Sequence, residues 1–233
     1  MKVAVVGKGN VGTQMARIFG VEPISSRTLD GLDCDTDLCI IAVSDSAVKE
    51  VADRLPHIKG VVAHTTGSVP METLKNVKCD GYGVLYPFQT ISKSRPLPPS
   101  SIPLIIEGRD CATTDFLINA ARQYGFTNIQ QGDSEMRRKV HLAGVFACNF
   151  PNASIAISQK ILSECGIDGK IVAPLVAETV EKLKTLPAKE AQTGPAIRHD
   201  ISTLEKHEAL LKELGMNAEA DIYRSISDLI MNG

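Results

Sequence analysis

The first 130 or so residues alternate short apolar runs with amphipathic segments. Residues 3–6 are a short apolar, β-branched run, and in residues 37–43 a continuous apolar run follows Asp37; such runs are typical of strands buried on both faces of a parallel sheet. Helical patterns, such as residues 13–19 and 112–124, separate these runs. The predicted strands cover residues 3–6, 22–27, 37–43, 60–63, 81–86, 102–107 and 127–130. This order predicts an α/β fold with a doubly wound, mostly parallel sheet.

From Ser134 onward the sequence pattern is almost entirely helical. The predicted helices cover residues 134–149, 168–186, 201–214 and 219–231. Because proline lacks a backbone N–H and clashes with the preceding turn, Pro151 is expected to kink or interrupt the first of these helices. We therefore predict an α/β domain over residues 1–132 and an all-helical domain over residues 133–233.

A glycine-rich segment joins the first predicted strand to the first predicted helix and fits the pattern G-x-G-x-x-G. Gly7 allows a tight turn, Gly9 allows a pyrophosphate to approach the backbone, and Gly12 allows the helix to pack close to the strand. The free N–H groups of a helix N-terminus attract phosphate. The alternative is a glycine-rich turn without a ligand. We predict a Rossmann-type nucleotide site formed by Gly7, Lys8, Gly9, Asn10, Val11 and Gly12.

The residues after the second predicted strand bear on the choice of nucleotide. An NAD site expects an acidic side chain there, but this chain has Ser26 and Arg27, and Asp30 lies beyond the strand end. An arginine beside small hydroxyl groups suits a 2′-phosphate, because guanidinium offers phosphate a planar fork of donors. We therefore expect NADP, with NAD the less favoured cofactor. The alternative for Arg27 is an ordinary solvated charge.

Two further strand ends carry polar residues toward the same edge of the sheet. Val43, Ser44 and Asp45 end one strand, and His64 and Thr65 follow the next. Ligands of open α/β sheets bind outside the carboxyl ends of the strands, so we expect all five residues to border the cofactor. Ser44 and Asp45 also suit a helix N-cap. For His64, a structural position and a position near the nicotinamide are equally compatible with the sequence.

The first long helix offers the candidate catalytic residues His141 and Asn149. They are eight residues apart, which places them roughly 80° apart around an uninterrupted α-helix. Histidine is the usual proton shuttle near neutral pH, and Asn149 could orient a substrate. Alternatively, His141 is a core or interface residue and Asn149 a helix-end residue. Farther along, Arg198 near Asp200 fits either a clamp for a substrate anion or an ion pair between helices.

Composition narrows the classes of partner. The net charge is −2 and no basic stretch stands out, which argues against nucleic acid. The six cysteines form no C-x-x-C pair, so we expect no metal site and a reducing cytoplasm. No apolar run approaches the roughly 20 residues of a membrane helix, and no signal peptide is recognisable. We expect a cytoplasmic protein without membrane contact.

Five segments together carry a family resemblance: GKGNVG, HTTGS, YPFQT, RRKVHLAGVFACNF and TGPAIRHD. In this order they resemble bacterial Rossmann-like proteins with a C-terminal domain of unknown function. That family is usually labelled as NADP oxidoreductases, within the superfamily of 6-phosphogluconate dehydrogenase and pyrroline-5-carboxylate reductase. The resemblance implies an NADP-binding domain, a helical domain that helps to dimerise, and an active cleft between them.

The resemblance also bears on individual residues. In the reductases of that superfamily, a small polar residue and an arginine after the second strand hold the 2′-phosphate, which Ser26 and Arg27 match. The sugar-acid dehydrogenases use a lysine and an asparagine on the first long helix. Here His141 and Asn149 occupy that helix, so the lysine mechanism does not carry over.

These observations predict an NADP-dependent oxidoreductase that transfers a hydride between NADP(H) and a small unidentified substrate. We expect a homodimer. A non-catalytic NADP-binding sensor or interaction protein is the alternative from a different class. A methyltransferase-like site for another adenosine ligand is a third and weaker interpretation.

Overall fold

The computed structural model describes all residues from Met1 to Gly233. It divides into two compact units, Met1–Phe150 and Pro151–Gly233. The first unit contains a six-stranded sheet with its helices, and the second unit is helical. The assignment of separate roles to residues 1–132 and 133–233 stays a prediction.

The sheet has its strands in the order β1-β2-β3-β4-β5-β6. Their bounds are β1 Val3–Val6, β2 Leu38–Ile41, β3 Ile58–His64, β4 Cys79–Pro87, β5 Leu104–Gly108 and β6 Ile129–Gln131. Only the β4–β5 pair is antiparallel, and the other four pairs are parallel. The predicted fold class, a mostly parallel Rossmann-like sheet, is confirmed.

The second predicted strand is reduced to one bridge. Residues 22–27 contribute only Ile24, which pairs with Val6. Ile24 donates its N–H to Val5, and Gly7 donates to Ile24. The chain turns after Ser25, where Leu29 N–H bonds back to the Ser25 carbonyl. The sheet therefore has six strands, and the backbone of Ser26 and Arg27 lies outside the ladder.

Both faces of the sheet are covered by helices. Leu38 and Ile40 belong to an apolar cluster with Met15 and Leu117, on one face. Cys39 and Ile41 alternate with them and belong to a second cluster on the other face. This double burial explains why β2 reads as an unbroken apolar run without a polar face. The helices of this unit are α1 Asn10–Phe19, α2 Val48–Arg54, α3 Cys111–Gln123 and α4 Ser134–Gly144.

A π turn, Val145–Asn149, follows α4 directly and leads into α5, Phe150–Glu164. Of the two expectations for Pro151, an interruption of the helix is therefore wrong, and a kink stays a prediction. Proline cannot donate a hydrogen bond to the preceding turn, and the wider turn just before it, closed by Phe150 N–H to the Val145 carbonyl, accommodates the loss. The 80° angle calculated for an uninterrupted α-helix does not apply across this turn.

The whole helical stretch Ser134–Glu164 contains 31 residues, with a mean hydropathy of 1.3 in its most apolar window. By length and composition alone it could cross a membrane, which the short apolar runs of the sequence did not lead us to expect. One such helix is weak evidence for a membrane span.

The second unit contains the rest of α5 and three more helices, α6 Val172–Lys182, α7 Ile201–Glu213 and α8 Asn217–Asn232. Leu211, Met216 and Ala220 form its small buried cluster. Across α7 and α8, His207 Nδ1 lies 2.9 Å from the Tyr223 hydroxyl, and Arg224 pairs with Glu208. The core of this unit is much smaller than that of the sheet.

Candidate functional site

The glycine loop is held tightly against the sheet at two of its three glycines. Gly7 has a φ of 129°, and a Cβ there would lie 2.1 Å from the Ala42 carbonyl oxygen. A Cβ on Gly12 would lie 2.0 Å from the Gly7 carbonyl oxygen. At Gly9, by contrast, a Cβ would meet nothing within 4 Å. The loop therefore presses against the sheet below and leaves open space above Gly9, at the N-terminus of α1.

A cavity of about 610 Å³ opens at this loop. This volume lies within the range of roughly 300–1,000 Å³ that small-molecule sites occupy. It brings together the glycine loop, Ser26–Arg27 and Val43–Ser44, three of the predicted cofactor segments. The lining residues are Gly7, Lys8, Gly9, Asn10, Val11, Ser26, Arg27, Ala42, Val43, Ser44, Ala47, Glu50, Val51 and Arg54. Gly12, Asp45, His64 and Thr65 do not line it, and their part in cofactor binding stays a prediction.

Arg54 is a lining residue that the sequence pattern did not single out. It is the last residue of α2, where its charge suits the negative end of the helix dipole. Its guanidinium donates to the backbone carbonyls of Ser26 and Arg27. Because these partners lie 28 and 27 residues away in the sequence, no local pattern could have revealed the contact.

Asp45 connects two of the strand ends. It begins a short 3₁₀ turn after β2, and its carboxylate accepts a hydrogen bond from the Ser68 hydroxyl, in the loop after β3. In the predicted N-cap segment, Ser44 makes no side-chain capping hydrogen bond. The Asp45–Ser68 bond fixes two loops of the carboxyl edge relative to each other.

His64 is completely buried at the end of β3. Its Nδ1 accepts a hydrogen bond of 3.2 Å from the Thr66 N–H, so the ring is neutral with the proton on Nε2. Nε2 has no hydrogen-bond partner. Burial, followed by the positive charge of Arg137, lowers the pKa of His64 to about 4, and the backbone of Pro70 only partly opposes this shift. These contacts favour the structural interpretation of this residue.

The lowered pKa of His64 predicts a loss of stability on acidification. Between the ordinary pKa of 6.5 and about 4, the unfolded chain binds a proton that the folded chain does not. Stability should therefore fall as the pH decreases through this window, by up to about 3 kcal/mol from this group. Urea unfolding at pH 7, 5.5 and 4.5 measures this, and His64→Gln should flatten the dependence. The exposed His57, changed to Gln, is the control; identical slopes for all three proteins would contradict the assignment.

His141 lies at the same edge and contacts two strand ends. Its Nδ1 is 3.1 Å from the hydroxyl of Tyr86, near the carboxyl end of β4, and the two rings meet edge to face. A Cβ on Gly67 would lie 2.6 Å from His141 Nδ1, so only glycine leaves room for the imidazole. Likewise, Gly144 packs against the ring of Phe88. The segments HTTGS and YPFQT of the sequence therefore form the surroundings of His141.

The hydroxyl of Tyr86 is held in its protonated form. Burial, followed by the negative charge of Asp45, raises the pKa of Tyr86, and Arg137 opposes the shift. When the hydroxyl donates to Nδ1, the proton of the His141 ring is on Nε2. Tyr86 begins the segment YPFQT, and the sequence pattern assigned it no role.

Asn149 is exposed at the end of the π turn, and its side chain makes no hydrogen bond. The structure does not bring it into contact with His141. π turns of this kind occur frequently at functional sites. The predicted role of Asn149 in orienting a substrate stays a prediction.

Arg137 holds the start of α4 to the loops of the sheet, and its side chain is completely buried. The guanidinium pairs with Glu107 and donates to the carbonyls of Thr66, at 3.2 Å, and Val69. The hydroxyl of Ser134 also donates to Glu107, at 2.9 Å. This buried network places the helix that carries His141. The sequence did not single out Arg137, because its partners Thr66, Val69 and Glu107 lie 30 to 71 residues away.

In the second unit, Asp200 is the N-cap of α7. Its carboxylate accepts hydrogen bonds from the N–H and hydroxyl of Thr203, which, together with the charge of Arg198, lower the pKa of Asp200. Arg198 is exposed and forms no salt bridge, so the proposed ion pair between helices is not present. The role of Arg198 as an anion clamp stays a prediction.

The fold and the glycine-loop cavity define a Rossmann-like protein with a helical C-terminal part. Residues 102–230 match the family described as "Domain of unknown function (DUF2520)". The chain belongs to this family. No curated protein is significantly similar to the chain.

Several solved structures resemble the whole chain. BF3122 from Bacteroides fragilis, provisionally assigned as an NADP oxidoreductase, is 28% identical, with a TM-score of 0.87, over 100% of this chain and 98% of that one. TM1727 from Thermotoga maritima is 21% identical, with a TM-score of 0.71, over 98% and 88% of the two chains. Pyrroline carboxylate reductase from Plasmodium falciparum, solved with NADP bound, is 12% identical, with a TM-score of 0.60, over 100% of both. The last two resemblances concern the fold.

Proposed function

We propose that the protein is an NADP-dependent oxidoreductase that acts on a small substrate, with NADP(H) as the source or acceptor of the hydride. The observation that carries this proposal is the cavity in which the glycine loop, Ser26 and Arg27 lie together. The similarity to BF3122, at 28% identity, supports it.

The residues of the cavity fit a dinucleotide. The open space above Gly9 admits a pyrophosphate, and the N-terminus of α1 offers free N–H groups to it. Arg27 makes no salt bridge or side-chain hydrogen bond within the chain, so its five donors are free for a 2′-phosphate. Val43 and Ser44 would border the nucleotide on its other side.

His141 is the residue we propose for proton transfer. Reduction of a C=O or C=N group needs a proton at the oxygen or nitrogen, and imidazole is the side chain most often used for this near neutral pH. Tyr86 holds the ring at Nδ1; in the imidazolium, Nδ1–H would donate to the Tyr86 oxygen and Nε2–H would give its proton to the substrate, and the reverse reaction would return that proton to Nε2. We further propose that Asn149 orients the substrate.

Turnover distinguishes this function from that of a non-catalytic NADP-binding sensor. The wild-type protein should oxidise NADPH with at least one of a panel of imines, keto acids and a deazaflavin. His141→Ala should lower that rate about 100-fold or more, because general acid–base catalysis contributes roughly 10²–10⁴-fold. NADPH affinity should stay unchanged, and the exposed His199→Ala is the control. Tight NADPH binding without turnover, unaltered by His141→Ala, would instead establish the sensor.

We also propose that the protein is a cytoplasmic homodimer in which the helical part contributes to the contact. Large apolar side chains that are exposed in the single chain support this proposal, since such surfaces mark interfaces. They include Leu142, Phe146, Phe150, Ile171, Leu175, Val180 and Leu229. The mass of the purified protein in solution, measured by light scattering, tests the proposal.

A further inference from the structure

We propose that Arg54 determines the preference for NADPH over NADH, by fixing the turn that presents Ser26 and Arg27 to the 2′-phosphate. This inference rests on the proposed function, because it takes NADP(H) to be the ligand of the cavity. Arg54 is a positioning residue in this proposal, and Arg27 is the residue that contacts the phosphate.

The first argument is the geometry of the contact. Arg54 Nη1 donates to the Ser26 carbonyl at 3.3 Å, and Nη2 donates to the carbonyl of Arg27. One planar group thus holds two consecutive carbonyl oxygens. Only the forked guanidinium can do this in a fixed orientation, since a lysine ammonium is a compact point charge on a flexible stem.

The second argument is that the turn needs this support. The sheet ladder ends at Ile24, so no strand hydrogen bond reaches Ser26 or Arg27. Two local hydrogen bonds remain in the turn. Ser25 Oγ accepts a long one, 3.3 Å, from Arg27 N–H, and the Ser25 carbonyl accepts one from Leu29 N–H, so neither involves the carbonyls of Ser26 and Arg27. Arg54 therefore supplies the restraint that a longer strand would have given.

The third argument is that Arg54 is paired within the protein, whereas the side chain of Arg27 is not. The guanidinium of Arg54 also lies 3.5 Å from the carboxylate of Glu50, one turn earlier on α2. Its donors are thus directed to protein groups on two sides. Arg27 has no such partner and lies free beside Ser26 in the cavity, which Lys8 of the glycine loop also lines. Loss of Arg54 should therefore act on the orientation of Arg27 more than on the net charge.

The dissociation constants of NADPH and NADH, measured by fluorescence titration, test this inference. Arg54→Ala should weaken NADPH binding about tenfold, which corresponds to one charge-assisted hydrogen bond, and change NADH binding less than about twofold. Arg54→Lys should behave like Arg54→Ala, because an ammonium on a flexible stem does not hold both carbonyls in a fixed orientation. Lys49→Ala is the matched control. It removes the same charge from the same helix, and the wild-type Lys49 pairs only with Asp53.

Three results would overturn the inference and leave the proposed cofactor standing. Full NADPH affinity in Arg54→Lys would show that charge alone matters, and equal losses for NADPH and NADH would show a general structural effect. The third is an NADPH preference that depends on Arg27, tested by Arg27→Ala, but not on Arg54. Absence of any NADPH preference in the wild-type protein would overturn the proposed cofactor as well. Thermal unfolding of each variant separates these losses from misfolding.

Discussion

Replacing Arg137 by alanine is expected to destabilise the protein by about 3–5 kcal/mol, the range for breaking a buried ion pair by removing one partner. The Glu107 carboxylate, itself buried, would keep Ser134 as its donor but lose the guanidinium. The carbonyls of Thr66 and Val69 would lose their donors as well. Urea unfolding measures the loss, and a value below about 1 kcal/mol would contradict the assignment.

Two further variants sharpen this experiment. Arg138→Ala removes the same charge from the next residue, which is exposed, and should change stability by less than about 0.5 kcal/mol. The double variant Arg137→Met with Glu107→Leu removes both charges and replaces them by apolar groups. It should recover much of the loss, because the main cost in the single variant is the unpaired carboxylate.

Replacing Gly12 by alanine is expected to damage both folding and nucleotide binding. The added methyl group would lie 2.0 Å from the Gly7 carbonyl oxygen, so α1 must move away from the loop. Overpacking of this kind costs about 1–3 kcal/mol in the free energy of unfolding. NADPH affinity, measured by fluorescence titration, should fall at least about tenfold, because the free N–H groups of α1 move with the helix.

Gly9→Ala is the matched variant in the same loop. A Cβ at Gly9 meets nothing within 4 Å, and its φ of −74° is allowed for alanine. Stability should therefore change by less than about 0.5 kcal/mol. NADPH binding should nevertheless weaken, because the methyl group occupies the space proposed for the pyrophosphate. If Gly9→Ala binds NADPH as tightly as the wild-type protein, the nucleotide does not lie above this glycine.

The sequence pattern was sufficient to predict the elements that are determined by burial of apolar residues or by local glycine chemistry. The unbroken run of β2 and the glycine loop before α1 each follow from local chemistry, and both are present as predicted. Periodicity overestimated the strand at residues 22–27, because it took no account of the turn after Ser25, where Leu29 N–H bonds to the Ser25 carbonyl. It also expected Pro151 to kink or interrupt its helix, and the helix continues past Pro151 after a π turn.

The contacts of the candidate site were harder to predict from the sequence than the strands and helices. Arg54 and Arg137 resemble ordinary surface cations in the sequence, and their roles come from backbone carbonyls 27 to 71 residues away. The contact between Tyr86 and His141 likewise joins residues 55 positions apart. Such contacts depend on the completed sheet topology, which no local pattern contains. The surroundings of His141 were therefore harder to predict from the sequence than the glycine loop, residues 7–12, that would hold the cofactor.

The double burial of β2 has a consequence for insertions and deletions. Because both of its faces are apolar, a slip of one residue would exchange the two faces without exposing a polar side chain, so burial alone does not fix the register. Polar contacts at the amino end fix it: Asp37 N–H donates to the Lys2 carbonyl, and Lys2 N–H donates to the Asp37 carboxylate. A shortened loop before Asp37 that broke these two contacts would let β2 slip, and this slip would move Ser44 out of the cavity while both faces of β2 stayed apolar.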